Sequence, residues 1–228
     1  MAKTTANRGI SADRIKNASA FDRTRENNAE FKTASKAATL LRTIFKEVTS
    51  IAKDRITYAR LLEVILTIVK TDPINERGER TVNAGDFKEL KDFQFNERAG
   101  ITSSLFVRCP MSFNRVSGEV VVNIPVFVPR NMVERARGMT HYRIVAAAAA
   151  VNFDTEAYDY AMQGTNELPY NSDPTQAATL TMALPAASTN IVIAMLGIEY
   201  YQQVNARSYP LKSGLRNAAT ILLVDKPV

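Results

Sequence analysis

The side chains that could do acid–base, nucleophilic or metal chemistry are few and scattered. Cys109 stands between Arg108 and Pro110, far along the chain from the single histidine, His141. A Cys–His nucleophile needs that imidazole beside the thiol. The neighbours of Cys109 instead mark a strand end, where a buried, inert thiol is expected. Metal ligation by nitrogen or sulfur needs a cluster of His or Cys, and this composition has none. Asp154, Glu156 and Asp159 form one acidic group, and Glu167 with Asp173 another. Paired carboxylates serve glycoside hydrolysis or bind Ca²⁺. Both groups sit in polar loop sequence without the Asp-x-Asp-x-Asp-Gly spacing of a Ca²⁺ loop, so a solvated surface is expected. Every glycine stands alone; even Gly78 and Gly85 are too far apart to cradle one phosphate. No catalytic, metal-binding or cofactor-binding residue is therefore expected, and no small-molecule ligand. The chain is expected not to be an enzyme.

The elements around these residues begin with the stretch from Ala2 to Ala52. It opens polar and basic. Around Asn27 it becomes amphipathic, with Phe31, Ala34, Ala38, Leu41, Phe45, Val48 and Ala52 at alternating spacings of three and four. That is one face of a helix, expected from about Asn28 to Ile51. Asn27 followed by Glu30 resembles a capping box with Asn in place of Ser or Thr. Phe31, Leu41, Phe45 and Val48 are the expected packing residues. Ahead of them, Ile10, Ile15 and Phe21 are isolated among polar residues. Residues 1–26 thus read as a flexible arm that orders by docking on a partner.

Charge sharpens that reading. Residues 1–60 hold 13 Lys or Arg and 6 Asp or Glu, while the remaining residues hold 16 and 17, so the net +6 resides entirely in the first part. Arg8, Arg14, Lys16, Arg23 and Arg25 are the arm's cations. Such asymmetry points to an acidic protein surface or to nucleic acid as partner, against the alternative of a solvated, solubilising face.

Downstream, Asp54 is a cap for a second helix with Tyr58, Leu61, Leu62, Ile65, Ile68 and Val69 on its apolar face, ended by Asp72–Pro73. The two helices form a hairpin. Phe87 and Leu90 suggest a short third helix that starts near Asn83 to Asp86. From Ile101 the period changes to two. Met111–Arg115 and Glu119–Phe127 flank Ser117–Gly118 as a β-hairpin. Thr140–Phe153 contains five consecutive alanines, Ala146 to Ala150; strand is expected from the flanking Val145 and Val151, with helix as the competing reading. Residues 163–174 read as loop, Gln176–Leu184 as strand, and Asn190–Val204 as a central strand apolar on both faces. Lys212–Gly214 turns the chain into a last strand, Leu215–Asp225. The expected fold class is α+β: a basic arm (1–26), a helical region (27–98) and an antiparallel β-sandwich (99–228).

The run Arg23-Thr-Arg-Glu-Asn-Asn-Ala-Glu-Phe31 and the Ala/Ser/Lys-rich helix after it resemble the N-terminal part of uncharacterised proteins from Bacteroidota. The resemblance covers residues 20–50. It implies that arm and first helix act as one unit, and carries no assigned activity.

The 228 residues suffice to bury a core, and a 46% apolar fraction argues against global disorder. The N-terminus lacks the apolar run of a secretory signal, and no apolar stretch is long enough to span a bilayer. Cytoplasmic synthesis is expected, with later release as an assembled particle left open, and no membrane partner. Adhesion to carbohydrate by the sandwich suits the fold but not the missing signal peptide or the absence of tryptophan. The function expected is a self-assembling structural protein, such as a filament, tube or shell subunit, cellular or phage-like, whose arm contacts neighbouring copies. The alternative is nucleic-acid binding through the arm. Against it stand the arm's one aromatic, Phe21, and the lack of a recognisable nucleic-acid motif.

Overall fold

Ala146 to Ala150 lie at the centre of the molecule, in a strand covered on both faces. The computed structural model describes residues 11–50, 52, 54–211 and 217–227. The helices are α1 (Ala12–Asn17), α2 (Asp22–Ile44), α3 (Lys46–Thr49), α4 (Thr57–Lys70), α5 (Ile101–Ser104) and α6 (Pro129–Met132). The strands are β1 (Met111–Asn114), β2 (Glu119–Ile124), β3 (His141–Val151), β4 (Tyr158–Gly164), β5 (Leu168–Pro169), β6 (Ala178–Ala183), β7 (Ile191–Val204), β8 (Arg207–Pro210) and β9 (Ala218–Asp225). The protein is a mixed α+β fold with a helical N-terminal part and antiparallel sheets.

The larger sheet is built on β3 and β7, paired from His141–Tyr201 to Val151–Ile191. β4 and β5 flank β3, while β9 and β8 share the other side of β7. The smaller sheet has the order β1-β2-β6. Side chains alternate along a strand, and here both sets are buried. Val145, Ala147, Ala149 and Val151 join Ile193 and Met195 in a core with the helices. Ile144, Ala146, Ala148 and Ala150 join Val192, Ala194 and Leu196 in a second core with Val120, Val122, Leu180 and Met182 of the smaller sheet. The result is three layers: helices, large sheet, small sheet.

This explains the alanines. Alanine is a weak strand former, but a middle strand between two packed layers rewards small, fully buried side chains, and packing overrides propensity. The same close approach is visible at Gly197. A Cβ there would lie 3.1 Å from Val48 Cγ1, Val145 Cγ2 and the Ala218 carbonyl, so α3 rests directly on the sheet.

The helical layer follows the apolar spacing of the sequence. Leu41, Phe45 and Val48 pack in one cluster with Leu61, Ile65 and Ile68. α4 runs back along α2: the Ser35 and Tyr58 hydroxyls meet at 2.9 Å, and the loop after α4 brings the Gly78 amide to Glu30 Oε1 at 3.1 Å. Asp54 precedes α4 but does not cap it: Ile56 holds the cap position with no side-chain cap bond, and Asp54 instead fixes the entry turn by accepting from the Ile56 amide at 3.0 Å and the Thr57 hydroxyl at 2.8 Å.

Several boundaries differ from the sequence reading. Residues 12–17 are helical, and α2 begins at Asp22, so Asn27 is not a cap but lies within the helix. Its side-chain Oδ1 accepts from Arg77 at 2.7 Å, and Glu30 is buried beneath Arg80 at 3.6 Å. The first helix does not run unbroken to Ile51: it ends at Ile44, and Phe45, at ψ 16°, separates it from α3. Ile51 itself, like Lys212–Gly214, lies outside the described residues. Near residue 86 the chain makes a 3-10 turn at Lys88–Leu90 rather than an α-helix. Ile101–Ser104 is helix where alternation was read. Residues 163 and 164 end β4 and Leu168–Pro169 form β5, inside a stretch read wholly as loop.

The 92–95 segment covers an exposed flank of the large sheet. Asp92 N donates to the Ile221 carbonyl at 2.7 Å, Ile221 N to Phe93 at 3.0 Å, and Phe95 N to Ala219 at 2.9 Å. Unpaired strand edges recruit other chains, and such a cover removes one of them.

Candidate assembly surfaces

Of the five arm cations singled out above, Arg8 lies outside the described residues. Arg25 is used internally. Its Nη1 donates to the carbonyls of Ile15 at 2.8 Å and Ala18 at 3.0 Å, and its Nη2 pairs with Asp22. Those carbonyls sit at the C-terminal end of α1, where a cation satisfies acceptors the helix leaves open. Arg25 therefore clasps α1 onto the start of α2. Arg23 pairs with Glu26 at 3.3 Å, and Glu26 also receives Arg77 at 3.3 Å. Arg14 and Lys16 project from α1 into solvent and form no ion pair among the described residues. The arm's charge is thus divided: one part holds the helices together, the other faces outward.

The packing residues divide too. Leu41 and Phe45 are fully buried and Val48 nearly so, but Phe31 is 52% exposed. The helical period carries Phe31 beyond the reach of α4, into a stretch where Arg77, Gly78 and Arg80 meet α2 through Glu26, Asn27 and Glu30. Phe31 is a surface side chain.

The residues with potential chemistry are not brought together. Cys109 is buried, and burial pushes its thiol up to about 11. His141 Nδ1 shares a hydrogen bond with the Thr140 hydroxyl at 3.0 Å on a strand end. Glu156 pairs with Lys36 at 3.6 Å, Asp173 accepts from Asn171 at 2.7 Å, and Glu167 accepts from Ser208. Among the described residues, no group of three His, Cys, Asp or Glu is placed to hold a metal ion. No described helix is long and apolar enough to cross a membrane.

One surface element escaped the sequence reading. β7 continues past the body of the large sheet and pairs with β8 from Tyr201–Pro210 to Val204–Arg207. The turn between them places Asn205 at φ 50° and Ala206 at φ 62°, the pair of left-handed residues typical of a type I′ hairpin. Asn205 was the available signal; alanine in place of the usual glycine concealed it. Gln202 to Pro210 are all exposed, including Val204 and Tyr209. Beside the same end of the sandwich runs a groove of about 490 Å³ lined by Arg108, Pro110, Ile124, Pro125 and Ala178. A second hollow, of about 410 Å³, lies under Lys88, Lys91 and Lys226. Lys226 is committed there, its Nζ donating to the Ala84 and Gly85 carbonyls at 2.9 Å each.

The chain matches no family model, no curated protein and no solved structure.

Proposed function

We propose that the protein is a non-enzymatic structural subunit that assembles with copies of itself into a filament, tube or shell. The observation that carries this reading is the β7–β8 hairpin. Its residues from Gln202 to Pro210 are solvent-exposed on both faces, and a two-stranded ribbon is marginal in water without a further layer. The clasped N-terminal helices add a second outward element, with Phe31 exposed on α2. A subunit with two such projections is suited to contacts between neighbours. Light scattering with electron microscopy of the purified protein tests this. Particles well above the 25.2 kDa chain mass are expected; a monodisperse monomer at high concentration overturns the reading.

Nucleic acid is the second reading, favoured by the outward Arg14 and Lys16 on α1. Phosphate contacts are salt-dependent, so binding would fall about tenfold or more between roughly 50 and 200 mM salt. Absence of any gel shift at the low end of that range removes this reading.

A further inference from the structure

The end of the sandwich where β3 begins and β2 ends carries an unusual concentration of exposed apolar side chains. Phe106 and Met132 are adjacent there, the Phe106 amide donating to the Met132 carbonyl at 2.8 Å. Val126 follows the groove residue Pro125 and precedes Phe127, whose ring lies 6.3 Å from that of Tyr142. Tyr142 faces Tyr200 across the β3–β7 ladder, one residue before the hairpin pairing starts. The hairpin adds Val204 and Tyr209, the latter 51% exposed. Large exposed apolar patches are rare on monomers, and where they occur they mark contact sites.

The charges at this end favour a protein partner. From Asp92 to Leu211 the chain has no lysine, and every cation is an arginine. Interfaces are enriched in Arg, Tyr, Phe and Met and depleted in Lys. Exposed Arg108, Arg130 and Arg207 and half-buried Arg143 are interspersed here with exposed Asp173 and half-buried Glu167. A polyanion would meet those carboxylates as like charges, whereas a second copy brings both signs.

We infer that two copies join end to end through this surface, each laying its β7–β8 hairpin in the groove between Pro110, Pro125 and Ala178 of the other; the inference rests on the self-assembly reading. Projection and groove belong to the same end of one chain, which is the condition for an isologous, twofold contact. The groove's roughly 490 Å³ accommodates an aromatic side chain such as Tyr209. Asn123 and Arg108 line the groove and supply donors for carbonyls of an incoming strand.

The test uses the full chain and two variants at exposed positions, Tyr209→Glu on the hairpin and Ala177→Arg at the groove, with circular dichroism to show that both remain folded. In sedimentation equilibrium each variant should weaken the pairing by on the order of tenfold or more. Mixed together they should partly recover, because the mixed pair retains one intact hairpin-in-groove contact, whereas each variant alone has none. If the wild type assembles and both variants assemble equally well, this interface is overturned and the self-assembly reading stands. If both variants dissociate and mixing restores nothing, the hairpin-in-groove pairing is overturned. A monomeric wild type removes both.

Discussion

The guanidinium of Arg115 grips Asp225 three times, from Nη2 to the carboxylate at 2.6 Å and to the backbone carbonyl at 3.1 Å, and from Nε to the carboxylate at 3.3 Å. Its Nη1 reaches the Ser188 carbonyl at 2.5 Å and the Asn190 carbonyl at 3.2 Å. Arg115 follows β1 in the small sheet, and Asp225 ends β9 in the large one. One side chain therefore joins the two sheets where neither ladder does.

That clamp depends on the planar fork. Lysine keeps the charge but cannot serve several acceptors in different directions. Arg115→Lys should destabilise the fold by about 1–3 kcal/mol, read as a lower urea midpoint at unchanged slope. An unchanged midpoint would show that the clamp contributes nothing.

The alanine layer should not tolerate enlargement. Ala148 opposes Ala194 in the β3–β7 ladder, and both are fully buried toward the small sheet. Ala148→Leu should cost about 1–3 kcal/mol through overpacking. Ala157→Leu, at an exposed position after β3, should stay within about 0.5 kcal/mol. Thermal melts of the two compare them directly; equal melting temperatures would contradict the close spacing of layers.

Asp72 makes stability pH-dependent. Burial alone would raise its pKa, but hydrogen bonds outweigh it: the Asn75 amide side chain at 2.8 Å and the backbone amides of Thr81 at 2.8 Å, Ile74 at 2.8 Å and Asn75 at 3.1 Å hold it well below the usual carboxylate range. A depressed folded pKa means stability that is present above the unfolded value, near 3.8, and lost as pH falls from there through the folded value. Urea midpoints should fall below about pH 5. In Asp72→Asn the midpoint should be lower at neutral pH and fall less steeply on acidification. Asp54, also lowered, keeps part of the slope: burial raises its pKa, and the Glu97 amide, the Thr57 hydroxyl and Arg60 together outweigh that effect.

Cys109 should be slow to react. With its thiol raised to about 11, modification by a disulfide reagent at pH 8 should be on the order of a hundredfold slower than for a free thiol and become fast in urea. Rapid labelling of the folded chain would show that the thiol is open to solvent.

The sequence announced those parts whose local pattern and tertiary position agree. Ile193 and Leu196 alternate in an apolar run, and they are buried in the helix-side and sheet-side cores respectively. The α4 stripe and the Met111–Ile124 hairpin were legible for the same reason. Period says which face of an element is apolar but not how far its neighbour extends, which is why Phe31 was misplaced. Asn27 resembled a cap because the chain before it lacks apolar period, yet Arg25 and Asp22 hold that segment helical through polar contacts that periodicity does not register. β4 was hidden because its Tyr158-Asp-Tyr-Ala-Met-Gln-Gly164 sequence mixes polar and apolar residues, and it exists through its ladder with β3. Of the proposed interface nothing was anticipated; the hairpin arises from where β7 outruns β3, a length difference written in no single residue.

β7 is also one continuous rod. Its first half, Val192 to Ile198, is bonded on both sides, to β3 and β9, and its far end is the exposed hairpin. A load applied to the hairpin along the strand axis would set both ladders in shear, so that many hydrogen bonds resist at once instead of opening one after another. A tug on the projection is thereby passed straight into the deepest layer of the molecule.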